Sequence, residues 1–540
     1  MDTYSSQQSA LRSSGTRSCT VSRQCLARAP TTASLWTRRA ARAARGIRVH
    51  AATSAAEELA DDGVSLPTTS SSSSSSSSGS NSAGSSCPFL AGLPSPPAAG
   101  SPWYTRLQQL SHPEQWQRAA LGSHSMVSVP SQLGLPAACL LGTAELAKTV
   151  LAGEGDITLQ GVQRNYGFAT LVGQHSLLMV QEPRHKYLRN LIMPAFSPEA
   201  IERLTPRMVA VVSRYLDAWA AAGTPVLAAE ELKALTFDFI YAVILGRDYE
   251  QQQLQHMRQL YGTWAAGLQD WPFLQLPFTR FGKAMAAREQ LMELFKAAIA
   301  ETRALLQQGQ EVPGILASLV SAVDEEGNRL SEVELCDNLM LLILAGHDTS
   351  SVTLTNILAH LHNRPAAMQQ LRQEQQALLA RHGSQLSTGV LREMPYAEAV
   401  IRETLRLRNV IPGLHRVAAR DIELGGYAVP AGTMLYSPLH LLNKADPRWT
   451  DDDIEAFRPE RMMTAEGQKG GWQMSFGHGP RFCAGYLVAM AEMKVLLALL
   501  ARGYEFSCNT DTQWVQQVGQ VPVNNLPMTV TRRRDAAAAT

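Results

Sequence analysis

The chain has 540 residues, 45% of them apolar and 18% charged, with a formal net charge of +1. That is enough apolar material for a large core and an ordinary charge content for a soluble enzyme, and the lack of any run of ~18 apolar residues excludes a spanning helix. Seven cysteines (Cys19, Cys25, Cys87, Cys139, Cys336, Cys483, Cys508) without a C-x-x-C pair exclude a disulfide framework or zinc cluster and suit a reducing compartment.

Residues 1–50 carry nine arginines, no lysine and one acidic residue, Asp2. With no uninterrupted apolar stretch, that composition predicts a transit peptide and not a secretory signal; a basic arm for nucleic acid or membrane is the alternative. Without these nine positive charges and one negative, the formal net charge moves from +1 to −7. A mildly acidic body predicts no nucleic-acid partner. Residues 51–87 hold the serine tract Ser70–Ser78 and read as a disordered linker, because serine cannot bury enough apolar surface to order itself. A proline-rich lead-in follows, which leaves room for peripheral membrane contact. One large domain is expected over 88–535, with a short tail at 536–540.

Within that domain the segment Leu330–Asn363 is free of proline, starts with a capping box of Ser331 and Glu334, and ends at Asn363-Arg364-Pro365. It predicts a helix of about 50 Å, apolar nearly all round between Leu339 and Ala345 and therefore central. Helices are also predicted over Arg364–Gly383, Met394–Asn409 and Tyr486–Gly503. After Pro412, alternating residues around Gly425-Gly426 and Pro430-Ala431-Gly432 predict short strands and tight turns. The fold class is mainly α with a minor β part.

The segment "SFGHGPRFCAG", Ser475 to Gly485, places Cys483 just ahead of a helix. A thiol there meets unpaired N–H groups and the positive end of the helix dipole, which favours the thiolate. Gly477, Gly479 and Gly485 let the backbone approach something flat and bulky. Taken alone, Cys483 could equally be a structural cysteine.

Phe476, Gly479, Arg481, Cys483 and Gly485 together satisfy F-x-x-G-x-R-x-C-x-G, and three further motifs stand in the matching order earlier in the chain. The chain resembles the cytochrome P450 family of haem-thiolate monooxygenases over most of 88–535. The resemblance implies haem b, iron protoporphyrin IX, with Cys483 as axial iron ligand and Phe476, Gly477 and Gly485 shaping its loop. In "AGHDTS", Asp348 and Thr349 resemble the acid–alcohol pair that supplies protons for dioxygen activation, while Ala345 and Gly346 would leave room beside the haem. His347 occupies a variable position and is not taken as a ligand. In "ETLR", Glu403 and Arg406 resemble the family's scaffolding pair, joined by Arg458 or Arg461 of "FRPERM". His185 and Arg189 of "HKYLR", Arg416 of "GLHRV" and Arg481 are implied donors to the haem propionates; many relatives have Trp at the position of His185.

Weaker similarities, in "NLIMPAFSPEAI", "GYAVPAGTMLYS" and "PVNNLPM", point toward hydroxylases of retinoic acid, abscisic acid and steroid hormones and their cyanobacterial relatives. Gly413-Leu414-His415 departs from the Gly-Gly-Phe usual in the retinoid enzymes. The implied substrate is a hydrophobic isoprenoid: a retinoid, apocarotenoid or sterol-like terpenoid. Pocket walls are expected from 167–180, 264–278, 339–349, 411–414 and 523–526, although Trp264, Trp271, Phe273 and Phe278 could as well be core.

No flavin or iron–sulfur domain is encoded, so O2 reduction needs a separate electron donor. This is ferredoxin in a chloroplast, or an NADPH-dependent reductase at the endoplasmic reticulum, docking on a monomer near Arg184, Lys186, His478 and Lys494. Two alternatives remain: a hydroperoxide-rearranging haem-thiolate enzyme, against which the Asp348-Thr349 pair and the intact cysteine loop speak, and a haem sensor or carrier.

Overall fold

The computed structural model describes residues 93–98, 113–129, 137–161, 166–247, 249–268, 270, 276–446, 448, 449, 453–469 and 474–534. The expected transit peptide, linker and tail, along with Trp271 and Phe273, lie outside the described residues. Residues 83–540 form one compact unit.

The central helix runs Glu332–Asn363. It begins as its capping box dictates: Glu334 N–H donates to Ser331 Oγ at 3.2 Å and Ser331 N–H donates back to Glu334 Oε2 at 2.9 Å. Its buried side chains, including Leu335, Leu339, Ile343, Leu354 and Leu358, join the largest apolar cluster. Around it lie helices Pro198–Ala221, Ala228–Leu245, Gln251–Ala265, Arg280–Gln307 and Pro365–His382. Helices Pro395–Leu407 and Tyr486–Gly503, the latter called here the cysteine helix, complete the part that positions the site.

Twelve strands are present among the described residues. In chain order they are β1 (Met126–Val129), β2 (Ala138–Leu141), β3 (Thr158–Gln160), β4 (Val226–Leu227), β5 (Leu414–Ala418), β6 (Ile422–Leu424), β7 (Tyr427–Val429), β8 (Met434–Ser437), β9 (Tyr504–Cys508), β10 (Trp514–Gln516), β11 (Gln520–Pro522) and β12 (Pro527–Arg532). The five-stranded sheet has the order β1-β2-β8-β5-β3, antiparallel except for β2 with β8. Gly425 and Gly426, at φ +59° and +81°, turn β6 into β7, a conformation that excludes most L side chains. Small sheets beside many helices match the expected class.

Candidate active site

The cysteine loop is closed by its own backbone. Cys483 N–H donates to Phe476 O at 2.9 Å, Gly477 N–H to Met474 O at 2.9 Å and Phe482 N–H to Gly479 O at 3.0 Å. Gly479 has φ +69°, and a Cβ on it would lie 2.5 Å from Leu151 O, so only glycine lets the loop press on the end of helix Ala144–Ala152. A Cβ at Gly485 would meet open space. The Phe476 ring meets that of Tyr486 edge-on at 4.8 Å.

Desolvation raises the pKa of the Cys483 thiol, and the Gly485 N–H and the Arg189 charge oppose this without reversing it. The helix N-terminus therefore does not by itself yield the thiolate expected from sequence. A bound cation deprotonates a coordinating thiol outright, which reverses the balance.

Ala345 is exposed although it sits midway along a helix that is mostly buried, and Leu341, Leu342 and Leu344 are only half-buried. The central helix thus leaves part of an apolar face open at Ala345, flanked by leucines that are only partly covered by the core. Gly346 does not contribute to it. A Cβ there would lie 2.6 Å from Ile240 Cδ1, so its room goes to helix Ala228–Leu245 and not, as expected, to the space beside a haem.

Asp348 and Thr349 do not touch through their side chains among the contacts described. Thr349 Oγ1 donates to Ala345 O at 2.6 Å, and Asp348 Oδ2 accepts from the Tyr261 phenol at 2.8 Å. Desolvation raises the Asp348 pKa, with the Tyr261 bond and the Lys233 charge pulling it back. Next to it His347 is buried, bonded through Nδ1 to Thr236 Oγ1 at 2.9 Å and pushed down to about 3 by desolvation. It is a neutral core histidine. One residue beyond Thr349, Ser350 bonds to Glu492 of the cysteine helix, whose buried carboxyl is pushed up to about 8.

His185 is buried and Arg189 half-buried on helix Arg184–Ile192, and His185 Nδ1 lies 2.9 Å from Glu182 Oε1. Arg416 on β5 is held by pairing with Leu435 on one side and Gln160 on the other. A residue missed in the sequence lies between the arginines: Glu154, in the turn before β3. Its Oε1 accepts from Arg481 Nε, and its Oε2 sits 2.9 Å from Arg416 Nε. These three side chains are almost wholly buried. Arg481 donates further to Leu177 O and Leu178 O, each at 3.0 Å, and to Val180 O. It clips residues 177–180 to the cysteine loop, and most of its N–H groups are spent on these protein partners, where the resemblance implied donation to the propionates. No motif flags Glu154; its only mark in the sequence is its place between two glycines.

Glu403, Arg406 and Arg461 form a buried network. Glu403 accepts from Arg406 Nε and Nη2, both at 2.8 Å, and from Arg461 Nε at 3.0 Å. Arg461 supplies the joining guanidinium, whereas Arg458 offers Glu403 its backbone N–H at 3.0 Å.

Two of the residues named from sequence are buried. Lys494 is buried, with Nζ donating to Leu391 O at 3.0 Å and Glu398 Oε2 at 2.9 Å, so it cannot meet a docking protein. Trp264 is wholly buried and donates to Leu171 O at 3.1 Å, which makes it core and not a pocket wall. Val523, by contrast, is exposed and lines a cavity of about 220 Å³ with Lys233, Ser351, Thr355 and Val515.

These residues fit a haem. A partly exposed thiol and an apolar helix face suit a flat ring, and two guanidiniums meet one buried carboxylate with a third, Arg189, near Arg481. Arg416 Nε makes no well-formed hydrogen bond, and the guanidiniums outnumber the carboxylate, so the cluster has both charge and donor capacity left for a dianion.

The cytochrome P450 family model matches residues 107–530. The chain belongs to the cytochrome P450 family. It is 30% identical to "Abscisic acid 8'-hydroxylase 2" of Arabidopsis thaliana over 67% of this chain and 74% of that protein. It is 28% identical to "Cytochrome P450 26B1" of Danio rerio over 70% of this chain and 75% of that one. Among solved structures, "Retinoic acid bound cyanobacterial CYP120A1" superposes with a TM-score of 0.71 at 25% identity, over 82% of this chain and all of that one. The chain is thus a P450 monooxygenase, an oxidoreductase with a haem-thiolate cofactor that uses O2, a small substrate and a redox partner; the carrier alternative falls with this. No helix among the described residues is long and apolar enough to cross a membrane.

Proposed function

We propose that this monooxygenase hydroxylates a hydrophobic isoprenoid, a retinoid, apocarotenoid or sterol-like terpenoid, at a haem b held by Cys483. The observation that carries this reading is the similarity to relatives named for abscisic and retinoic acid, combined with an apolar face on the central helix at Leu341, Leu342, Leu344 and Ala345. Haem-thiolate supplies O–O cleavage and transfer of one oxygen atom, the second leaving as water.

The rest falls to this chain's own residues. Arg189 and Arg416 would hold the propionates, with Arg481 fixing loop 177–180 beside them; His185, kept neutral by burial, spends its N–H on Glu182 and supports the loop instead. The Gly485 N–H and the Arg189 charge stabilise negative charge on Cys483 Sγ. Thr349 Oγ, whose proton is engaged by Ala345 O, keeps its lone pairs for a proton-bearing neighbour. Asp348, released from Tyr261, brings a proton from the outer side of the helix. Electrons come from a separate donor, ferredoxin if residues 1–50 direct the chain to a chloroplast and an NADPH-dependent reductase otherwise.

A ligand titration of the haem-loaded full chain tests this, following the haem absorption band against retinoids, apocarotenoids, sterols and fatty-acid hydroperoxides, with a reduced carbon monoxide spectrum as control. A spin-state shift with one isoprenoid class is expected. Shifts confined to hydroperoxides would overturn the substrate reading, and the absence of a thiolate-type carbon monoxide band would overturn Cys483 as ligand.

A further inference from the structure

We infer that Glu154 is a positioning residue of the propionate site: its buried carboxylate bridges Arg416 and Arg481, aligns both, and sets the positive charge the haem feels. This rests on the haem-thiolate reading above.

Three parts of the chain far apart in sequence meet at this carboxylate. Arg416 comes from β5, Arg481 from the cysteine loop and Glu154 from the turn before β3, 327 residues from Arg481. The turn itself is held, since Gly155 N–H donates to Thr158 O at 3.0 Å and Thr158 Oγ1 to Val150 O at 3.0 Å. Glu154 therefore does not reach its partners by side-chain flexibility; its backbone is built to deliver it. Buried carboxylates cost several kcal/mol to desolvate and are kept where they answer buried cations.

Without Glu154 the cluster would hold three guanidiniums, Arg189, Arg416 and Arg481, close enough to perturb one another in sequence through Arg481. Glu182 lies further out, a fifth exposed and engaged with His185. Each arginine carries a fixed charge, so the carboxylate that bridges two of them lowers the potential of the site most directly. The Oε1 and Oε2 atoms each face one Nε, which turns the Arg416 Nη groups away from Glu154, with one Nη1 bond to His415 O. The bridge thereby leaves the far side of the Arg416 guanidinium to meet a propionate.

The two properties, alignment and charge, separate by substitution. Glu154→Gln keeps the shape and loses the charge, whereas Glu154→Asp keeps the charge and shortens the reach. Loss of a negative charge favours the reduced haem, so Glu154→Gln is expected to shift the one-electron reduction equilibrium about tenfold toward the ferrous form, ~59 mV upward in midpoint potential. That is the scale of one charge acting across roughly 10 Å at an effective dielectric of about 20. Glu154→Asp should keep the reduction equilibrium within about twofold of the parent yet release haem to an acceptor protein faster, because its shorter side chain strains the bridge.

Spectroelectrochemistry and haem-transfer kinetics on the full chain read these effects without turnover. A parent-like potential in Glu154→Gln, with haem retained, would overturn the charge-setting role. Should that variant take up no haem, a tenfold shift in Glu154→Asp would overturn it instead. The carbon monoxide band of the unmodified chain reports on Cys483 separately, so failure of the haem-thiolate reading is distinguishable from failure of this one.

Discussion

The phenol of Tyr261 donates a 2.8 Å hydrogen bond to the carboxylate of Asp348, 87 residues further along the chain. Desolvation keeps that phenol protonated, its pKa raised well above the ordinary tyrosine range, so it is a permanent donor. In this conformation the acid of the acid–alcohol pair points at a neighbouring helix, and its ionised form is favoured by the bond.

Removal of the hydroxyl therefore has a signed effect. In Tyr261→Phe the Asp348 pKa, already raised, rises further, and any limb of kcat against pH that needs ionised Asp348 moves to higher pH. Stability should fall by about 1 kcal/mol at neutral pH, the worth of an ordinary hydrogen bond. A pH–rate profile gives the first result and denaturant unfolding the second; an unmoved limb would mean that Asp348 is not the group that titrates.

Glu492 gives the fold a pH dependence of its own. Its carboxyl titrates near 8 when folded and near the ordinary value of 4.5 when unfolded, so between these the folded state holds a proton that the unfolded state lacks. The stabilisation is complete below the unfolded value and is lost as pH rises toward and through 8. Glu492→Gln removes the titration, and the slope of unfolding free energy between pH 5 and 8 should flatten. Urea titrations of both proteins across that range check this, and equal slopes would refute it.

The Glu403 network is buried on all sides, and breaking such a pair by removing one partner costs roughly 3–5 kcal/mol. Glu403→Gln should unfold at correspondingly lower denaturant concentration. Arg461→Ala should cost more than Arg458→Ala, because the latter keeps the backbone N–H that Glu403 uses. Equal losses would show that the two arginines share the role.

Gly346 tests where the room in the central helix goes. Gly346→Ala gains up to about 1 kcal/mol in helix propensity but forces a methyl against Ile240, an overpacking worth about 1–3 kcal/mol. Thermal unfolding should show a net loss, recovered in the double substitution with Ile240→Val, while the haem spectrum stays unchanged. A changed spectrum without loss of stability would instead put Gly346 beside the haem.

Much of this protein was legible in one dimension because the physics involved is local. Period and capping set the central helix to within two residues, Glu332–Asn363 against an expected start at Leu330, since Ser331 and Glu334 satisfy each other within a single turn. The cysteine helix, the Gly425-Gly426 turn and the motif around Cys483 are local in the same sense. The family, and with it the fold class, follows from those short patterns.

Tertiary structure alone decided which groups meet. Whether Arg458 or Arg461 reaches Glu403, whether Lys494 is surface or core, and whether Gly346 serves a ring or Ile240 depend on packing between segments tens to hundreds of residues apart. The same holds for Glu154 beneath its arginines, Tyr261 on Asp348 and Glu492 on Ser350. A sequence carries no trace of such pairs because burial, which makes a charge expensive and a partner necessary, exists only once the chain has closed around it.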